Sequence, residues 1–152
     1  MNTTLLKEIN SRDWNQLFST DLQTESTQAL ENGGIILFPQ LAFTLLPNEN
    51  KFLSPSCLDK HSKNISFNAL TDVLQGAKCS AREHHELKAM MSRFMQSAQS
   101  LVHKIFPFYA AALQIGRTSF RPIEVAGRNT SWRKDDTRLH VDAFPATPNQ
   151  GR

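Results

Sequence analysis

The sequence predicts an α+β fold, in which helices buttress the beginning of a sheet. Helical periodicity dominates the first two-thirds of the 152 residues, and strand-like segments accumulate toward the end. This length is sufficient for one domain with a hydrophobic core. Hydrophobic residues make up 39% and charged residues 20% of the chain, which excludes a fibrous or intrinsically disordered protein.

The first helix and the first strand are predicted early in the chain. TESTQALEN, residues 24 to 32, has a helical pattern, and Gly33 and Gly34 end it because glycine readily takes the left-handed conformation. IILFP follows, and this short apolar run rich in β-branched residues predicts a buried strand. Residues 47 to 66 are polar and rich in Pro, Ser and Asn, which predicts a loop.

The strongest element is a long amphipathic helix that begins after Ser80. SARE has the pattern of a capping box, with Ser80 at the N-cap and Glu83 three positions later. Apolar residues then recur at three- and four-residue spacing until Pro107 stops the helix. We expect this stripe to face the core, and a Met-rich docking face is the alternative. The stripe consists of Leu87, Met90, Met91, Phe94, Met95, Ala98, Leu101, Val102 and Ile105.

Histidines and cysteines in the first two-thirds of the chain predict no metal site. His84 and His85 are adjacent on the long helix, so they point in different directions and cannot easily share one metal. Cys57 and Cys79 are too few and too isolated for a disulfide framework or a zinc knuckle. We therefore expect both cysteines to be free thiols in a reducing cytosol.

The best pair of candidate metal ligands is His140 and Asp142, in the extended segment TRLHVDAF. Residues i and i+2 of a strand point to the same face, so an imidazole and a carboxylate would lie side by side. With one further His they would form the facial triad that binds iron(II) and leaves open coordination positions. His61 and His103 have no such partner and are expected to be ordinary histidines. Because His and acidic residues are common, an incidental pair is the alternative.

Basic residues cluster between Arg117 and Arg138, although the whole chain carries a formal charge of only +3. That small excess does not by itself indicate a nucleic-acid partner, and none is expected. The cluster predicts either a solvated face or a pocket for a carboxylate or phosphate, which Arg binds bidentately. The N-terminus has no apolar run of a secretory signal, and no stretch approaches the roughly 20 apolar residues of a membrane span. We therefore expect a soluble or peripherally attached chain.

Residues 131 to 152, SWRKDDTRLHVDAFPATPNQGR, resemble the signature of the Kdo hydroxylases. These are iron(II)- and 2-oxoglutarate-dependent dioxygenases acting on the lipopolysaccharide sugar Kdo (3-deoxy-D-manno-oct-2-ulosonic acid). ALENGGIILFPQLAF, FLSP and KNISF are similar to earlier parts of the family, so the resemblance begins near Glu25. It divides the chain into an N-terminal extension, residues 1–20, and the N-terminal part of a truncated dioxygenase domain, residues 21–152.

The resemblance implies 3-hydroxylation of Kdo in Kdo-lipid A, with Fe(II) as cofactor and 2-oxoglutarate as a cosubstrate converted to succinate. His140 and Asp142 match two iron ligands of the family. The candidates for binding the phosphates and the Kdo carboxylate are Arg133, Lys134 and Arg138. The implied fold is a double-stranded β-helix, a jelly-roll or cupin-like barrel. The implied location is the cytoplasm, with peripheral contact to the inner membrane.

The chain departs from the family in length. The second His ligand and the Arg that holds 2-oxoglutarate lie in a half of the family fold with no counterpart here. A jelly roll needs about eight strands and fewer are predicted, so we expect an incomplete sheet and an inactive isolated chain. Two alternatives remain open. One is a non-catalytic basic domain that binds an anionic membrane surface or partner, with the HxD motif incidental, and the other is a related oxygenase with another substrate.

Overall fold

The computed structural model describes residues 6–122, which belong to one compact unit. The described residues form helices and short strands, so the predicted mixed class is confirmed. In chain order the elements are β1 (Leu6–Glu8), α1 (Thr20–Glu31), β2 (Ile35–Leu37), β3 (Ile65–Asn68), β4 (Val73–Gln75), α2 (Ala81–Ile105) and β5 (Thr118–Phe120). Short 3₁₀ helices cover Pro47–Leu53, Pro55–Cys57 and Pro107–Ala112.

The described strands form two small sheets. Strands β1 and β2 pair in parallel. Strand β3 is the middle strand of an antiparallel sheet of order β4-β3-β5, in which Phe67 lies opposite Leu74 on one side and Thr118 on the other. Ile65 and Phe67 alternate toward the core, where both are buried. The larger sheet is therefore anchored through its middle strand.

Helix α1 ends as predicted but begins earlier. It starts at Thr20 rather than Thr24, because the side chain of Ser19 caps it and satisfies one of its free N–H groups. At its other end Gly33 has a φ of 79°, and the N–H groups of Gly33 and Gly34 donate to carbonyls of the last turn. This Schellman arrangement requires the left-handed conformation at Gly33, which explains the glycine at that position.

Strand β2 forms where a strand is predicted, but the prediction that it is buried is wrong. Ile35 is 62% and Leu37 is 40% exposed, whereas Ile36 packs against the core. Successive side chains of a strand point to opposite faces, and this two-stranded sheet is covered on one face in the described structure. The apolar run therefore supplies a single inward side chain.

Helix α2 is confirmed from its capping box to its end, and it carries both parts of the core. Ser80 Oγ accepts from the Glu83 N–H at 3.3 Å, and Glu83 Oε2 accepts from the Ser80 N–H at 3.0 Å. Met90 and Met91 are buried, so the stripe faces the core and a Met-rich docking face is not supported there. The first core cluster consists of Phe52, Cys57, Ile65, Phe67, Leu87, Met90 and Met91. The second core cluster consists of Ile9, Phe18, Leu101, Ile105 and Phe106.

The segment predicted as a polar loop, residues 47 to 66, contains a buried carboxylate. Glu49 is 3% exposed and receives both guanidinium nitrogens of Arg93, at 3.0 Å on Oε1 and 2.6 Å on Oε2. The N–H of Leu46 also donates to Oε2 at 2.7 Å, and Arg93 reaches the carbonyl of Thr44 at 3.1 Å. This network, the Arg93 clamp, fixes the segment against the middle of α2.

Residues 6–18, which were assigned to an N-terminal extension, pack into the same compact unit. Ile9 and Phe18 belong to the second core cluster. Trp14 donates its indole N–H to the carbonyl of Ala42 at 3.0 Å, and its ring meets Phe94 of α2 edge-on at 5.8 Å. Residues 6–18 therefore contribute to the core.

We predict that Arg93→Met will lower the free energy of unfolding by about 3–5 kcal/mol, because it leaves the buried Glu49 carboxylate without its partner. Urea unfolding followed by circular dichroism measures the change. The matched control is Arg82→Met, which removes an ion pair with Glu86 whose arginine side chain is 88% exposed. This control should cost about 0–1 kcal/mol, and equal losses in the two variants would contradict the prediction.

Candidate functional site

The residues predicted to hold iron and substrate lie outside the described residues. They are His140, Asp142, Arg133, Lys134 and Arg138, and the predicted strand TRLHVDAF lies with them. Their roles therefore stay predictions. What the structure describes is the scaffold that precedes them in the chain and the neighbouring surfaces.

Strand β5 is the last described strand before that region, and the core holds it firmly. Ile65 of β3 lies opposite Phe120, and Phe120 packs against the first core cluster. The side chain of Asn64 donates to the hydroxyl of Ser119, which adds a contact at the sheet edge. The chain that continues toward the predicted ligands thus leaves the sheet from a strand that packs against the first core cluster.

A polar hollow of about 230 Å³ lies beside the antiparallel sheet. Arg117, the first member of the basic cluster, is exposed there and donates to Gln75 Oε1 at 3.3 Å. A guanidinium beside hydroxyl and amide groups is a suitable set for a carboxylate or phosphate. The hollow is lined by Ser66, Asn68, Thr71, Val73, Gln75 and Arg117.

An apolar cleft of about 180 Å³ lies between α2 and β5. Phe94 stands at its edge, 38% exposed, with its ring edge-on to Phe43 at a centroid distance of 5.3 Å. The cleft can take apolar groups, but it contains no titratable side chain and therefore supports binding rather than chemistry. Its lining residues are Phe43, Leu45, Met90, Met91, Phe94, Thr118, Ser119 and Phe120.

One group of possible metal ligands lies within the described residues, and no pattern in the sequence indicates it. The sulfur atoms of Cys57 and Cys79 and a carboxylate oxygen of Glu83 all lie within 4.8 Å of one another. The prediction that the two cysteines are isolated is therefore wrong, although both are free thiols. The signal was not available in the sequence, because a turn brings together residues that are distant along the chain.

The environment of Cys79 keeps its thiol protonated. Burial raises the pKa of Cys79 to about 11, and the hydrogen bond with Cys57 and the negative charge of Glu83 act in the same direction. The nearby Lys51 acts weakly in the opposite direction on this pKa. Because the thiolate is the nucleophilic form, the metal-free thiol is a poor nucleophile at neutral pH.

Residues 13–152 match the family described as 3-deoxy-D-manno-oct-2-ulosonic acid (Kdo) hydroxylase. A comparison with curated proteins found no match. Among solved structures, the chain is similar to the Kdo hydroxylase KdoO, a non-heme Fe(II) alpha-ketoglutarate dependent dioxygenase, in complex with cobalt(II). The sequence identity is 39% and the TM-score 0.86, over 93% of this chain and 48% of that chain.

Two further KdoO structures give the same result. The complex with alpha-ketoglutarate and Fe(III) has 39% identity and a TM-score of 0.84, over 92% of this chain and 46% of that one. The apo structure has 40% identity and a TM-score of 0.85, over 92% of this chain and 47% of that chain. The chain thus spans about half the length of these structures. Since the family match covers all but the first residues, the chain belongs to the Kdo hydroxylase family.

Proposed function

We propose that this protein takes part in the 3-hydroxylation of Kdo in Kdo-lipid A, with Fe(II) and 2-oxoglutarate. The family match over residues 13–152 carries the proposal. The similar KdoO structures contain Fe(III) with alpha-ketoglutarate in one case and with succinate in another. Because the chain spans about half of those structures, the activity is proposed for a chain with the complete family fold.

We infer that His140 and Asp142 supply two of the three protein ligands to the iron. An imidazole nitrogen and a carboxylate oxygen are the donors of the facial triad, so the chemistry of this pair fits Fe(II). A bound metal would activate dioxygen together with 2-oxoglutarate, so that one oxygen atom enters the sugar and the other enters succinate, with release of carbon dioxide. The third ligand and the Arg that holds 2-oxoglutarate are expected from the half of the family fold without a counterpart here.

We further infer that the β4-β3-β5 sheet is the beginning of a double-stranded β-helix buttressed by α2. The antiparallel pairing of β3 with both neighbours and the packing of Phe120 on the first core cluster support this. In such a fold the metal lies inside the barrel, where side chains alternate between interior and exterior. His140 and Asp142, two positions apart, would then share the interior face.

The basic cluster is the proposed surface for the anionic substrate. Arg133, Lys134 and Arg138 would contact the Kdo carboxylate and the lipid A phosphates, because Arg and Lys form charge-assisted hydrogen bonds with such groups. The proposed location is the cytoplasm, with peripheral contact to the inner membrane. No helix within residues 6–122 is long and apolar enough to cross a membrane.

We predict that His140→Ala and Asp142→Ala will each abolish hydroxylation in a complete family chain that contains these residues, because losing one of three ligands weakens metal affinity strongly. Succinate release and the gain of one oxygen by the lipid, by mass spectrometry, are the measurements. His61→Ala is the matched control, since His61 is exposed and lies in a turn, and it should retain activity. Full activity in the His140 variant would favour the alternative of a non-catalytic basic domain.

We predict that replacing Arg133, Lys134 or Arg138 by Ala in the same complete chain will lower kcat/KM for Kdo-lipid A roughly ten- to hundredfold, mainly through KM. A charge-assisted hydrogen bond to substrate contributes about 1.5–3 kcal/mol. Arg12→Ala, which removes an exposed hydrogen bond to Gln40, is the control and should leave KM unchanged. An unchanged KM in all three variants would contradict this substrate surface.

We predict that the 152-residue chain by itself forms no succinate in response to substrate. With two protein ligands instead of three, its affinity for iron should be low, because coordination number and preformed geometry determine metal affinity. The assay combines the purified chain, Fe(II), 2-oxoglutarate and Kdo-lipid A. Succinate formation that depends on Kdo-lipid A would show that residues 1–152 are sufficient and would refute this prediction.

A further inference from the structure

We propose that Cys57, Cys79 and Glu83 form a zinc site that is separate from the predicted iron ligands. Two sulfurs and one carboxylate oxygen within 4.8 Å of one another provide three donors. A water molecule would complete the tetrahedral coordination that zinc adopts. The site would join the 3₁₀ helix Pro55–Cys57 to the first turn of α2.

The main chain holds the two cysteines close to each other, and no disulfide joins them. The N–H of Lys78, next to Cys79, donates to the carbonyl of Cys57 at 2.8 Å. Gly76 makes the approach possible, with a φ of +77° and a position where an added Cβ would lie 2.5 Å from the carbonyl oxygen of Asn64. No other residue type fits this turn without displacing the backbone, so the pairing of the two thiols is built into the fold.

Helix capping holds the third ligand at the N-terminus of α2. Glu83 occupies the first turn of α2, and its Oε2 accepts from the N–H of Ser80 at 3.0 Å and from its hydroxyl at 2.7 Å. No hydrogen bond within residues 6–122 uses the other oxygen, Oε1. Carboxylates that bind metals are usually hydrogen-bonded as well. Glu83 fits this pattern, because one oxygen accepts hydrogen bonds and the other is available to a metal.

The distances are compatible with a tetrahedral zinc centre. Bond lengths of about 2.3 Å to sulfur and about 2.1 Å to oxygen place neighbouring donors roughly 3.5–3.8 Å apart. The three donor atoms are no more than 4.8 Å apart, so coordination requires a contraction of at most about 1.3 Å. Rotation of the half-buried Cys79 and Glu83 side chains can provide this, while the buried Cys57 stays in the first core cluster.

The charges around the cluster are also compatible with a bound zinc ion. Two thiolates and one carboxylate on Zn²⁺ leave one excess negative charge, after the two thiol protons have been released to solvent. The N-terminus of α2, with a partial charge of about +0.5, offsets part of this excess. The ammonium group of Lys51, which is paired with Glu86, also lies near Cys79. Thiolate donors also favour zinc over iron(II), so the cluster would not compete for the catalytic metal.

Cobalt(II) is the probe for this site in the purified, reduced 152-residue chain. The chain has only two cysteines, so a thiolate-to-cobalt charge-transfer band in the near ultraviolet can arise only from them. We expect one cobalt per chain, displacement by one equivalent of zinc, and a higher melting temperature with zinc that a chelator reverses. No thiolate band in a folded, reduced chain would overturn the proposal.

The variants separate this site from the other candidates. Glu83→Gln keeps the capping box but removes the carboxylate, so it should stay folded and lose cobalt affinity by at least roughly tenfold. Cys79→Ser should lose the band and the zinc-induced stabilisation, whereas His140→Ala with Asp142→Ala should retain both. A band that persists in Cys79→Ser, or that requires two chains by size exclusion, would overturn the site. So would a Cys57–Cys79 disulfide that re-forms after reduction in the presence of zinc.

Discussion

The described structure depends on one buried charge. Glu49 is 3% exposed, and a carboxylate removed from water is stable only when it is paired and hydrogen-bonded. Arg93 meets that need with two hydrogen bonds, and its guanidinium also lies 4.8 Å from the centre of the Phe43 ring. The segment around Glu49 can therefore pack in one place only, across the middle of α2. This position brings Phe52, 1% exposed, into the first core cluster.

The clamp also explains how a single helix can serve two core clusters. A helix of 25 residues is about 37 Å long, which is comparable with the diameter of a small domain. Met90 and Met91 lie in the first cluster, Leu101 and Ile105 lie in the second, and Arg93 stands between the two pairs along the helix. The Arg93 clamp attaches the segment around Glu49 to the turn of α2 that lies between the two clusters. The two core clusters therefore follow one another along the axis of α2.

The sequence predicted elements that are specified by neighbouring residues. Ser80 and Glu83 determine the start of α2, and Gly33 determines the end of α1, so these boundaries follow from local chemistry. The burial of Glu49 depends on a residue 44 positions away, and no local pattern signals it. His140 and Asp142 were predicted as iron ligands from their spacing in an extended segment and from a family resemblance. They belong to the matched residues 13–152 but lie outside the described residues, so this stays a prediction.

The two proposed metal sites also differ in whether the sequence alone reveals them. His140 and Asp142 form a motif that is visible in the sequence, with the nitrogen and oxygen donors that suit iron(II). Cys57, Cys79 and Glu83 become neighbours only through the Gly76 turn, and their sulfur donors suit zinc. Zinc competes with iron(II) at an imidazole–carboxylate pair, because it binds more tightly than iron(II) to most donors. A thiolate site takes up at most one zinc per chain, so the selection of iron(II) at the other pair depends on metal supply and on the remaining ligands.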